Sequence, residues 1–171
     1  METQSWILVG MMGAGKSSVG RELAKLAERQ FLDTDQLLQN RFGRPVGKIF
    51  DTYGEATFRD HESSILRSLE PGSTVIATGG GIVMRAENWE ELRRLGKTIF
   101  LKVTIDQLIE RLTVSKKRRP LLEVENWQER LTALYEQRLP IYEQADLHFV
   151  VKTDNSSTVA EQLFARLMEA N

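Results

Sequence analysis

Gly10-Met11-Met12-Gly13-Ala14-Gly15-Lys16-Ser17 satisfies G-x-x-x-x-G-K-[ST], and it stands between a short apolar run and an amphipathic stretch. A strand that turns tightly through such a loop into a helix can curl its backbone N–H groups around phosphate oxygens, while the helix N-terminus adds a favourable dipole. Within that reading, the Gly13, Ala14 and Gly15 amides cradle phosphate and Lys16 supplies charge for the β- and γ-phosphates. The Ser17 hydroxyl is a hard oxygen suited to Mg²⁺. Ser18 either donates to the α-phosphate or is simply a first-turn helix residue. Of the 12 glycines, seven fall in two groups, residues 10–20 and 79–81, so the second group asks for an explanation as well.

The rest of the chain repeats the same alternation. Short β-branched or aliphatic runs at residues 6–9, 30–33, 74–78, 98–103 and 148–151 read as strands, apolar on both faces as in a parallel sheet covered by helices. Helical patterns span 16–29, 33–41, 55–69, 85–95, 105–112, 127–143 and 158–170, with Asn126 placed to cap the sixth. The expectation is one α/β domain with a five-stranded parallel sheet. Residues 44–54 and the basic, turn-containing stretch 115–124 do not fit the alternation and read as insertions.

Composition removes other classes. With 23 basic and 24 acidic residues the net charge is -1, so no electrostatic footprint for nucleic acid or a membrane surface is expected. The absence of cysteine excludes disulfides and thiolate chemistry. No apolar run approaches the ~20 residues of a membrane span, and Met1 to Ser5 lacks the makings of a signal peptide, so the expected compartment is the cytoplasm. A guanine-reading N-K-x-D segment is missing. Asp51-Thr52-Tyr53-Gly54 matches the D-x-x-G of a nucleotide switch, but Pro45 and Gly47 leave no strand to lead into it.

Three further elements sit where an α/β sheet places its ligands. Asp33-Thr34-Asp35 closes the second strand, where residues i and i+2 of an extended chain would both face the site. Asp33 would reach Mg²⁺ through water and Asp35 would orient an acceptor hydroxyl, either taking its proton or only holding it; a helix cap is the other reading of Asp35, and the two roles can coexist. Gly79-Gly80-Gly81 follows the third strand, either as bare backbone that a ligand can approach closely or as a flexible turn. Lys116-Lys117-Arg118-Arg119-Pro120 is the one basic run, and it reads best as a lid that brings a guanidinium onto a transferring phosphoryl group and excludes water. Arg118 and Arg119 compete for that role, and the adjacent proline favours Arg119. Arg59 and Arg138 taken singly are solvated helix charges. His61 and His148 are assigned no chemistry.

Taken in order, G-x-x-G-A-G-K-S, D-T-D, G-E-x-x-F-R, G-G-G, R-R-P-L-L and R-x-x-x-Y resemble shikimate kinase over residues 9–145. That resemblance implies a P-loop, nucleoside-monophosphate-kinase-like α/β/α sandwich forming a single domain of residues 1–171. A substrate-binding insertion would lie near 33–61 and a lid near 113–124. It implies ATP-dependent phosphorylation of the shikimate 3-hydroxyl, with Mg²⁺ at Ser17 and Asp33, by a monomer. Asp35, Arg59, Gly79, Gly80, Gly81 and Arg138 would hold shikimate, the two arginines on its carboxylate. Arg119 resembles the family's lid arginine on ATP. Asn155 stands in the adenine-side loop, where an arginine is frequent in the family. Other small-molecule kinases, acting on gluconate or a nucleoside monophosphate, and a non-catalytic nucleotide module are the alternatives.

Overall fold

The computed structural model describes residues 4–169, so Ala170, the last residue of the expected closing helix, lies outside the described residues. Five strands, β1 (Ser5–Val9), β2 (Gln30–Asp33), β3 (Thr74–Ala77), β4 (Gly96–Lys102) and β5 (Leu147–Val150), form one sheet in the order β2-β3-β1-β4-β5. Every pairing is parallel, with Leu8 opposite Ala77 and Asp33 opposite the same Ala77 on the other side. The carboxyl ends of β1, β2 and β3 therefore finish level with one another. Since β1 leads outward to β2 while β3 crosses back past β1 to β4, right-handed crossovers put the intervening helices on opposite faces and open a crevice at those carboxyl ends.

Seven helices complete the layers: α1 (Lys16–Leu26), α2 (Thr34–Phe42), α3 (Val46–Ser68), α4 (Ala86–Leu95), α5 (Ile105–Val114), α6 (Trp127–Tyr142) and α7 (Ser156–Glu169). Single 3₁₀ turns follow the triglycine at Ile82–Met84 and the basic run at Pro120–Leu122. Trp6 and Leu8, two residues apart on β1, share one face of the sheet: Leu8 lies against the helix α1 backbone at Gly20, and Trp6 meets Phe164 of α7. β1 and β3 are buried throughout and β4 over residues 98–101, whereas the edge strands β2 and β5 are partly exposed; only the three inner strands fit the expectation of apolar cover on both faces.

Residues 44–54 are the main departure from the sequence reading. They are not irregular: α3 starts at Val46 and runs into the expected helix across a kink at Gly54, where φ is +80°. Pro45 precedes the first turn with extended backbone, so it starts a helix rather than breaking one. Ile49, with Leu38, Phe58 and Ile65, forms a second hydrophobic cluster separate from the main core, and Val46 and Phe50 pack against it. Helix α1 stops three residues earlier than expected because Glu28 turns into the left-handed region at φ +52°; Arg29 N–H closes the helix end on the Ala24 carbonyl and Gln30 opens the next strand. Asn126 does occupy the N-cap position of α6, but it makes no capping bond; its amide donates to Glu129 instead. Among the described residues no helix is long and apolar enough to cross a membrane.

Candidate active site

A cavity of about 1030 Å³ occupies the crevice at the strand ends. The phosphate loop, the triglycine, Asp35, Arg59, Arg138 and the basic run all line it, together with residues 153, 154 and 156. The sequence-predicted residues thus converge, with two exceptions taken up below.

The phosphate loop is shaped by three glycines at positive φ: Gly10 at +152°, Gly13 at +81° and Gly15 at +90°. Its lysine folds back, Nζ donating to the carbonyls of Gly10 (2.7 Å) and Met11 (2.9 Å). Burial pulls the Lys16 ammonium down to about 7, partly offset by Asp35. Ser17 Oγ donates to Asp33 Oδ2 at 2.5 Å, while Asp33 Oδ1 accepts from the N–H groups of Asp35 and Gln36. The cap of α2 is therefore Asp33, not Asp35. Asp35 lies in the first helical turn, so the two carboxylates are not brought together by an extended i, i+2 pair, and of the two only Asp35 lines the cavity.

The triglycine forms the opposite floor. Gly79 N–H donates to the Thr34 hydroxyl and the Gly80 carbonyl accepts from Tyr142 Oη at 2.5 Å, so the segment is pinned from two sides and is no flexible turn. A Cβ on Gly79 would stand 2.9 Å from both Asp35 Oδ1 and Glu62 Oε1, and one on Gly80 would stand 3.6 Å from Arg138 Nη1. One on Gly81 would strike the Arg59 guanidinium. The absence of side chains at Gly79 and Gly81 is what lets Asp35, Glu62 and Arg59 lie over one stretch of backbone, with Arg138 in contact range of Gly80.

Those groups are unevenly satisfied. Arg59 Nη1 bonds Glu62 Oε2 at 2.7 Å, and its Nη2 reaches Glu55 at 3.4 Å. Burial pushes the Glu62 carboxyl up to about 7 against the pull of Arg59, and raises Asp35 against that of Lys117. Arg138, only 3 % exposed, keeps Nε and Nη1 without a hydrogen-bond partner. Arg119 Nε is buried and unpartnered as well, and burial lowers its pKa. Among the described residues, four buried side-chain polar atoms lack partners, and three of them belong to these two arginines. Unsatisfied buried cationic donors are costly, so a site that retains them is built to receive an anion.

Within the lid, Arg118 and Arg119 both line the cavity; Arg118 is engaged by Asp51 and Glu123, whereas Arg119 keeps its Nε unpartnered. Asn155 is the first exception to convergence. Its Oδ1 accepts from Thr158 N–H as a cap for α7, and it does not line the cavity. Asp33 is the second, covered by Ser17. Several residues escaped the sequence reading. Glu62 could have been noticed at i+3 from Arg59 on one helix face. Lys117, 3.7 Å from Asp35, was visible only as part of a charge run. Arg111 donates to the Gly13 and Ala14 carbonyls and to Asp154, and nothing in its spacing distinguishes it from a solvated helix charge.

Fold and site together define a phosphate-loop kinase. A family model for shikimate kinase matches residues 12–168. A shikimate kinase from Prochlorococcus marinus is 42% identical over 154 residues, which cover 90% of this chain and 80% of its own. The structure of shikimate kinase from Acinetobacter baumannii in complex with shikimate matches with a TM-score of 0.93 at 34% identity, covering 99% of this chain and 95% of that one. A gluconokinase from Sinorhizobium meliloti has a TM-score of 0.61 at 20% identity over 98% of this chain and 95% of its own, a likeness of fold alone. The chain belongs to the shikimate kinase family.

Proposed function

We propose that this chain transfers the γ-phosphoryl group of ATP to the 3-hydroxyl of shikimate, giving shikimate 3-phosphate and ADP, a step toward chorismate and the aromatic amino acids. The observation that carries the proposal is the Arg138 guanidinium, buried beside the bare triglycine with two donors unpartnered and facing the phosphate loop across one cavity. A ring carboxylate there would pair with Arg138 and Arg59, and its hydroxyls would lie toward Asp35.

ATP would sit on the amides of Gly13, Ala14 and Gly15 with Lys16, Ser17 and Ser18. Lys16 would exchange its two carbonyl partners for phosphate oxygens. The donors at Ser17 and Asp33 fit Mg²⁺: an adjacent hydroxyl and carboxylate oxygen, both hard, with Ser17 facing the cavity. When bound, Mg²⁺ would supply charge neutralisation for the phosphates. Asp35, its pKa raised by burial toward the working range of a general base, orients the acceptor hydroxyl and takes its proton. Arg119 adds its charge to the equatorial oxygens of the transferring group, and the lid keeps water out. Residues 33–61 serve as the acceptor region and 113–124 as the lid of a single domain. The net charge of -1 supports a protein that needs neither nucleic acid nor membrane, the absence of cysteine is compatible with the cytoplasm, and the family resemblance supports a monomer.

A coupled assay of ADP release with shikimate, gluconate, AMP or CMP tests the reading. Shikimate alone is expected to drive turnover; turnover with another acceptor and none with shikimate would overturn it.

A further inference from the structure

Two sequence features have no part in the transfer described above: the D-x-x-G segment that opens at Asp51, and the doubled arginine of the lid. The structure joins them. Arg118 Nη1 donates to Asp51 Oδ2 at 2.5 Å and Nη2 to Asp51 Oδ1 at 3.1 Å, a fork on one carboxylate. The remaining face of the same guanidinium is held by Glu123 at the far end of the lid, through Nε and through Nη2 at 2.7 Å. The seat beneath is Gly47, where a Cβ would stand 3.1 Å from Arg118 Nη1 and 3.3 Å from its Cδ. Gly47 lies in the first turn of α3, where a cation is disfavoured by the helix dipole; Asp51, one turn further on, supplies the countercharge.

Placement gives this pair its meaning. Asp51 belongs to the part of α3 before the Gly54 kink, the part whose Val46, Gly47 and Phe50 line the cavity. Arg119, next to Arg118 on extended backbone, presents its buried Nε to the cavity. We propose that Arg118 is a positioning residue that ties the lid to the pre-kink segment of α3, so that Arg119 is aimed at the phosphoryl group only when the acceptor side is closed. This rests on the reading of Arg119 given above.

The test is a double-mutant cycle on kcat with shikimate and ATP, using Arg118→Ala, Asp51→Ala and both together, beside Glu123→Ala and Arg119→Ala. All but Arg119 are exposed, so Tm is expected to hold within about 2 °C. Each of Arg118→Ala and Asp51→Ala is expected to lower kcat by roughly 3–10-fold with little change in either KM, and the double variant to be no slower than the slower single. Glu123→Ala, which leaves the tie to α3 intact, is expected to cost less than Asp51→Ala. Losses that multiply in the double variant, or a kcat untouched by Asp51→Ala, would overturn the latch. An Arg119→Ala enzyme at full speed would instead sink the reading on which it rests, and the two failures are read from different variants.

Discussion

In the phosphate loop, Gly10, Gly13 and Gly15 run at φ of +152°, +81° and +90°, while Gly79, Gly80 and Gly81 stay out of that region and Gly81 sits at an ordinary -98°. The first group is glycine for the sake of backbone shape. The second is glycine for the sake of space, because side chains from α2 and α3 already occupy the positions that Cβ atoms on Gly79 and Gly81 would take, and the Met12 backbone crowds Gly80. One ligand site is thus a cradle of amides that any polyphosphate fits. The other is a cleared floor whose selectivity resides in charged side chains reaching over it from elsewhere in the chain.

Five measurements would break or sharpen that contrast. Lys16→Ala removes the one side-chain charge of the cradle, and kcat is expected to fall by about 10³-fold or more. Arg138→Ala strips the floor of its principal cation; the KM for shikimate is expected to rise about 10²-fold while that for ATP moves little, as loss of a buried charge partner implies. Equal changes in both constants would mean that the two sites are not separable. Gly81→Ala displaces Arg59 and should raise the shikimate KM about tenfold. Gly13→Ala, strained at its positive φ, should act on the ATP KM instead, and a crossed result would refute the division between space and shape. The smallest effect concerns protons. Because burial holds Lys16 near 7, the free chain is largely neutral at this position above that pH, and phosphate oxygens bind the charged form. ATP binding at about pH 8 is therefore expected to take up about one proton and to weaken as pH rises, with almost no uptake at about pH 6. Titration calorimetry in buffers of different ionisation enthalpy measures it, and no uptake at the higher pH would mean that Lys16 is charged throughout.

What the sequence disclosed follows the same division. Backbone devices leave local signatures: the cradle was legible from Gly10 to Ser17 because loop, strand and helix are contiguous, and the strand ends level with it could be placed from alternation alone. Long-range charge partnerships do not. Arg59 and Arg138 are 79 positions apart. Only the family resemblance singled them out, and the unpartnered Arg138 donors emerge only when the chain is folded. Residues 44–54 were misread because Pro45 and Gly47 look like breakers, although Pro45 merely precedes a first helical turn and Gly47 provides the Arg118 seat. Asn155 was placed on the nucleotide by its position in the chain. Its side chain, committed to Thr158, illustrates how easily an asparagine before a helix is a cap.

The small cluster of Leu38, Ile49, Phe58 and Ile65 shares no buried member with the larger core under the sheet. Changes confined to those four side chains are therefore energetically almost independent of the sheet, although α3 also sends Leu66 into the larger core. The part of α2–α3 ahead of Leu66 is in this sense a cassette: it could be redesigned for a different acceptor without repacking the sheet that shapes the nucleotide site. A lineage of enzymes built this way can diversify what it phosphorylates while inheriting unchanged the means of phosphorylating it.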